Sequence, residues 1–296
     1  MIPGVVVLDK PRGITSFDAV RVVARLLGER KCGHAGTLDP MATGVLPVCV
    51  GAATKIAGYL SEEEKEYEVA FAFGIETDTG DATGAPVSAR PGASAGASQV
   101  TAALSELVGT FEQVPPSYSA VKVRGVRAYE LARKGKDVPL APRRVTVTEA
   151  RLLSCDPGGF RAFLACSKGF YVRALSRDLG ARLGVPMTVA ALRRLRVGAF
   201  RIEDAATPEV LRELAAAGAA ATRVVPIPDA LSRMPRWIVP GDSVAAVRNG
   251  RLAGRWLGEL LAAGCGDKAL LITERRDPLA IVGRDRSGLW KILRGI

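Results

Sequence analysis

The sequence predicts an α+β fold built on a mixed β-sheet with flanking helices, followed by a small β-rich module at the C-terminus. Three observations predict it. Strand and helix patterns are interspersed without the regular period of βαβ units. No internal repeat occurs. Closely spaced prolines separate the main body from a final stretch of short apolar runs. The chain has 296 residues, of which 48% are hydrophobic, enough for a sizeable core in one large domain or two smaller ones.

In chain order, Gly4 to Asp9 is a short apolar run and reads as a buried strand. Thr15-x-x-Asp18 has the form of a capping box, and Val20, Val23, Ala24 and Leu27 continue at helical spacing to a stop at Gly28. Tyr67 to Phe73 alternates as a strand does. Ser88 to Ser98 is rich in Ala, Gly and Ser and reads as a flexible loop. Leu104, Leu107 and Val108 suggest a helix ending at Gly109, and Val145 to Leu153 and Phe160 to Cys166 suggest two strands. Val172, Leu175, Leu179 and Leu183 form one helical face closed by Gly184. Pro208 to Ala221 starts as a helix and ends as a surface loop. Pro226, Pro228, Pro235 and Pro240 suit a linker. Asn249-Gly250 is a hairpin signal ahead of the apolar runs Ala269 to Thr273, Leu279 to Val282 and Leu289 to Leu293. The domain division expected from this pattern is 1–232 and 233–296. The second part is near the lower size limit for independent stability.

Forty-one basic residues against 30 acidic ones give a net charge of +11. That sign and size suit a polyanionic partner, because each Lys or Arg set against a phosphate releases a counterion. Five cysteines with no C-x-x-C spacing and a single histidine argue against a Cys/His zinc site and suit reduced thiols. The longest apolar runs, such as Val5 to Leu8, are too short to span a bilayer, and the N-terminus lacks signal-peptide features, so a soluble cytoplasmic protein is expected.

The most informative stretch is His34-Ala-Gly-Thr-Leu-Asp-Pro-Met-Ala-Thr-Gly-Val-Leu-Pro47. Gly33, Gly36 and Gly44 permit tight backbone paths, and Asp39-Pro40 holds Asp39 in a turn and out of a helix. A short carboxylate on a rigid turn among glycines leaves room for a large planar ligand, although Asp-Pro is also an ordinary turn dipeptide. This segment, continued through Gly51-Ala-Ala-Thr-Lys55, resembles the signature of the TruB family of pseudouridine synthases. Further pieces match in family order. Leu8-Asp-Lys-Pro-x-Gly-x-Thr-Ser16 resembles the N-terminal motif. Lys65-Glu-Tyr67 and Gly74-x-x-Thr-Asp-Thr-x-Asp81 resemble the second. Pro115-x-x-Tyr-Ser-Ala-Val-Lys122 resembles the start of an RNA-gripping insertion. Cys166-Ser-Lys-Gly-Phe-Tyr-Val-Arg173 with Asp178-Leu-Gly180 resembles the arginine motif, and Leu192-Arg-Arg-Leu195 a late motif. Together they cover about residues 4 to 200.

The resemblance implies a pseudouridine synthase catalytic domain and a specific chemistry. The bond from ribose C1′ to base N1 breaks, the base turns, and C5 joins C1′. Atoms are conserved and no redox step occurs, so neither cofactor nor metal is expected. The resemblance makes Asp39 the catalytic carboxylate, attacking C1′ as a retaining glycosidase carboxylate does, or removing a proton from C2′. It makes Arg173 the partner that keeps Asp39 ionised and oriented. Tyr67 matches the tyrosine that stacks on the target base and helps take the C5 proton. His34 matches the residue that fills the gap left by the flipped base, and Leu192 one that packs on the base. Lys10, Asp81 and Tyr171 match motif positions nearer the RNA or the frame of the site. Phe170 departs from the pattern, standing where threonine is common.

Lys122, Arg124, Arg127, Arg133, Lys134 and Lys136, with Tyr129 interleaved and Arg143 and Arg144 following, make a basic stretch suited to a phosphate backbone. A solvated charged face has the same composition. In the family, the insertion (about 112–144 here) closes on the T-arm stem-loop of tRNA. The last segment takes the place of a PUA-like RNA-binding module. The expected partner is therefore tRNA, with no guide RNA and the protein acting as a monomer. Two alternatives share these residues: a tRNA-folding chaperone in which binding outweighs catalysis, and a guide-RNA-dependent synthase.

Overall fold

A computed structural model of the chain describes residues 3–119, 121–123, 126–128, 131, 140–252, 256–262, 266–285 and 287–296. The first half contains β1 (Gly4–Lys10), α1 (Ser16–Leu27), β2 (Cys32–His34), β3 (Thr43–Val50), α2 (Ala57–Ser61), β4 (Lys65–Phe73), β5 (Ile75–Thr77), β6 (Pro86–Ala89), α3 (Ala97–Ser105), β7 (Gly109–Gln113), β8 (Lys122–Val123) and β9 (Val126–Arg127). Then come β10 (Arg143–Asp156), β11 (Gly159–Cys166), α4 (Val172–Leu183), β12 (Met187–Val197), β13 (Phe200–Arg201), α5 (Pro208–Ala216), β14 (Val224–Pro226) and α6 (Ile227–Ala230). The C-terminal part holds β15 (Arg236–Ile238), α7 (Val244–Arg248), α8 (Trp256–Ala262), β16 (Lys268–Ile272), β17 (Pro278–Arg284) and β18 (Trp290–Gly295).

The predicted helix α1 forms for the predicted reason. Thr15 accepts from the Asp18 amide while the Asp18 carboxylate accepts from the Thr15 amide, and Gly28 closes the helix in a left-handed conformation. The central sheet has ten strands, with the path β14-β1-β3-β12-β4-β11-β10-β7; β2 pairs with β3 and β13 with β12. Its pairings are antiparallel except β3 with β12, which run parallel through Arg193–Thr43 and Arg194–Gly44. The sheet is therefore mixed, as the sequence predicts.

Both faces of the sheet are covered, which explains the unbroken apolar run of β1. Val6 and Leu8 point into a cluster with Ala19, Val20 and Val23 of α1 and Leu175 and Leu179 of α4. Val5 and Val7 point the other way, into a cluster that includes Ile227, Leu270, Ile272 and Ile281. The C-terminal strands form a separate four-stranded sheet, β15-β16-β17-β18. Its other face, through Ala269, Leu271, Ala280 and Val282, buries Val247, Trp256 and Leu260. The small sheet thus gains burial on both faces, one of them against the main body.

Three local expectations are corrected. The proline-rich stretch is more than a linker: Val224–Pro226 adds an antiparallel strand beside β1, and Pro228 lies in α6. Proline is tolerated at the last position of an edge strand and at a helix start, so composition alone does not separate these cases. Asn249-Gly250 ends α7 in place of a hairpin. Both uses call on the same left-handed glycine, here at φ 78°. The predicted loop Ser88 to Ser98 is shorter, since β6 extends to Ala89 and α3 begins at Ala97. Among the described residues, no helix is long and apolar enough to cross a membrane.

Candidate active site

The turn after β2 carries Asp39 to the mouth of a cavity of about 820 Å³ lined by residues of β4, β12, α1, the start of α4 and the loops between them. Two anchors set the path of this turn. Ser16 at the start of α1 donates its hydroxyl to the Leu38 carbonyl at 2.9 Å and accepts from the Leu38 amide at 2.8 Å. Arg194 reaches across from β12 and donates to the carbonyls of Gly36 and Thr37. Gly44, at φ 102°, lets β3 close on β12: a Cβ there would lie 2.1 Å from the Arg194 carbonyl oxygen.

Asp39 and Arg173 are 134 residues apart in sequence and meet as a fork. Nε of Arg173 donates to Oδ2 of Asp39 at 2.8 Å, and Nη2 donates to Oδ1 at 3.2 Å. Two further N–H groups of Arg173 serve the carbonyls of Thr79 at 2.9 Å and Tyr118 at 2.7 Å. Arg173 is 7% exposed, whereas Asp39 keeps 34% of its side chain open toward the cavity. With four of its five N–H groups paired the guanidinium is a rigid platform, and the bidentate bond holds the carboxylate in one orientation. Asp81 adds a second carboxylate 3.6 Å from Nε of Arg173. Its Oδ1 accepts from the Thr79 hydroxyl and from the amide and hydroxyl of Thr83, so it belongs to the frame behind Arg173. The backbone of that frame approaches α4 at Gly80, where a Cβ would stand 2.5 Å from the Arg173 carbonyl.

Tyr67 lies on the inward face of β4 with Val69 and Phe71, as its alternation predicts, and its ring borders the cavity. Burial pushes its hydroxyl up to about 12, against the opposing charge of Arg194. Leu192, two residues before Arg194 on β12, presents its side chain to the same space. His34 lines it too. Burial, then the Arg194 charge, lowers the His34 pKa, and its Nδ1 has no hydrogen-bond partner among the described residues. Tyr171 precedes α4, with its amide and carbonyl both paired to the Gln113 side chain at 2.8 and 3.1 Å. Lys10 is placed differently: its buried ammonium donates to the Pro11 and Ile14 carbonyls at 2.8 Å each, outside the cavity lining. Arg133 and Lys134 lie outside the described residues. Lys122 lies in β8, which pairs antiparallel with β9.

Sequence reasoning missed three members of this assembly. Arg194 is 1% exposed, and its strand spacing from Leu192 was the available signal. Lys65 lines the cavity, two residues before Tyr67 on the same face; burial takes its pKa down to about 8. Gln113 carried no signal, since its partner is a backbone segment 58 residues away.

Residues 24–172 match the model of the TruB family pseudouridylate synthase (N terminal domain). The chain is 50% identical over 224 residues to tRNA pseudouridine synthase B of Thermobifida fusca, covering 73% of this chain and 75% of that protein. With the enzyme of the same name from Geobacillus thermodenitrificans, it shares 38% identity over 302 residues, covering 98% of each. Among solved structures, an archaeal box H/ACA sRNP Nop10-Cbf5 complex contains a chain of the same fold. The TM-score is 0.72 at 22% identity, over 99% of this chain and 85% of that one.

Proposed function

Since this chain belongs to the TruB family of pseudouridylate synthases, we propose that it isomerises uridine to pseudouridine at position 55 in the T loop of tRNA, without a guide RNA. The chain is an isomerase of the pseudouridine synthase class. The observation that carries the finer reading is the Asp39 carboxylate, gripped at both oxygens by Arg173 yet open to a cavity of nucleotide size.

The chemistry follows from that geometry. A stacked uridine cannot reach Asp39, so the nucleotide swings out of the loop at a cost of a few kcal/mol. Stacking on Tyr67 returns roughly 1–3 kcal/mol, with Leu192 against the base and His34 in the gap it leaves. Asp39 then acts at the sugar, by attack on C1′ or removal of the C2′ proton, and the C1′–N1 bond breaks. The detached base turns and C5 bonds to C1′ as the Asp39–C1′ bond breaks, or as Asp39 returns its proton to C2′; C5 then gives up its proton and N1 gains one. Arg173 holds Asp39 in one orientation throughout, and closure around the base excludes water that would otherwise trap C1′.

The basic segment 112–144 is the phosphate grip in this reading, with Lys122, Arg133 and Lys134 as contacts. Residues 1–232 form the catalytic body, and 233–296 a PUA-like RNA-binding module. The guide-dependent alternative shares the fold at 22% identity. Identities of 38–50% to proteins named tRNA pseudouridine synthase B favour the stand-alone enzyme. The test is incubation of the purified protein with a bare T-arm transcript, followed by mapping of the modified position. Pseudouridine at position 55 is expected. No product without a guide RNA would refute the proposal. In the same assay Asp39→Asn should bind RNA but form no pseudouridine; normal turnover by that variant would remove Asp39 from the mechanism.

A further inference from the structure

Arg194 connects the two halves of the site. It stands directly opposite Tyr67 in the antiparallel pairing of β12 with β4, and directly opposite Gly44 in the parallel pairing of β12 with β3. Directly opposed residues on one sheet face have Cβ atoms about 5 Å apart, so the two side chains meet. The guanidinium donates through Nε to the Val45 carbonyl at 2.7 Å, and through Nη2 and Nη1 to the carbonyls of Gly36 at 3.0 Å and Thr37 at 3.4 Å. Tyr67 borders the same cavity directly across the strand pair. Among the described residues Arg194 forms no ion pair with a carboxylate.

A buried charge without a counterion is expensive, and hydrophobic side chains would fill the same volume at lower cost. What a methionine or leucine cannot do is hold three carbonyls at once with a positive charge beside a phenol. The carbonyls of Gly36 and Thr37 belong to the turn that delivers Asp39, two residues past Thr37, that of Val45 to β3, and the phenol to the residue set against the base.

We propose that Arg194 is a positioning residue for this reaction: it sets the Tyr67 hydroxyl and the Asp39 turn in register with each other, and acts on the rate through them without touching the RNA. This inference rests on the function proposed above. A guanidinium set across the strand pair from the Tyr67 phenol favours one direction for the phenolic proton and polarises its oxygen.

The test is a double-mutant cycle on the full-length protein, with a T-arm RNA carrying tritium at uridine C5 and enzyme in excess. Arg194→Met should lower the single-turnover rate about a hundredfold or more while RNA affinity stays within about threefold. In a Tyr67→Phe background, the same substitution should cost less than about tenfold, because the hydroxyl it orients is gone. Arg194→Lys, which keeps the charge but serves fewer acceptors, should fall between wild type and methionine. It also replaces methionine in the cycle if that variant fails to fold. A wild-type rate in Arg194→Met, or an equal loss in both backgrounds for whichever variant folds, overturns the inference. Wild-type protein that makes no product would instead count against the proposed function.

Discussion

Replacing Arg173 by lysine isolates geometry from charge. Arginine here donates to four acceptors in one plane: both oxygens of Asp39 and the carbonyls of Thr79 and Tyr118. A lysine keeps the positive charge but brings a single nitrogen to a site shaped for a fork. It cannot span both Asp39 oxygens and still reach the two carbonyls. At least one charge-assisted bond to Asp39 is lost, and such bonds contribute about 1.5–3 kcal/mol. If that orientation is needed at the transition state, the rate falls roughly 10- to 150-fold, at 1.36 kcal/mol per decade. The assay is single-turnover tritium release under enzyme excess, with RNA affinity measured separately and thermal unfolding as the fold check. A folded Arg173→Lys protein within threefold of the wild-type rate would refute the argument that paired hydrogen bonds set the Asp39 trajectory.

Other expectations concern binding, pH and backbone. Lys134→Glu should weaken RNA binding and reduce the slope of log affinity against log salt by about 1, given a slope near 0.9 per phosphate contact for a duplex stem; an unchanged slope would take that segment out of the interface. Burial holds the Lys10 ammonium down to about 8 from its ordinary 10.5. The unfolded chain therefore holds more protons between those values, and this residue's contribution to stability rises as pH climbs through that window. The unfolding free energy of wild type minus that of Lys10→Met should increase from pH 8 to pH 10, and denaturant titrations showing a flat difference would contradict the burial argument. Gly44→Ala puts a Cβ 2.1 Å from a backbone oxygen at φ 102°. It should cost about 1–3 kcal/mol of stability or more, read as a lowered unfolding midpoint; an unchanged midpoint would mean that β3 and β12 separate freely there.

Much of the chemistry was legible along the chain because it is written in short-range terms. The capping box at Thr15, the stop at Gly28, the alternation through Tyr67 and the turn at Asp39-Pro40 each depend on neighbours a few residues away. Motifs in family order then named Asp39, Tyr67 and Arg173 together. The same local grammar failed where one residue serves two structures, as at Asn249-Gly250 and among the prolines after Val225.

What the sequence determined by itself was the set of candidate site groups and the element each rides on, since both follow from side-chain chemistry and backbone preferences of only a few residues. Tertiary structure alone decided which groups meet. The insertion of β12 between β3 and β4 puts Arg194 against Tyr67, and α4 carries Arg173 across 134 positions of chain to Asp39. Strand order is chosen by burial over the whole sheet and leaves no mark within a window of neighbouring residues. A charged residue such as Arg194 therefore reads as exposed until the fold supplies the carbonyls that make its burial tolerable.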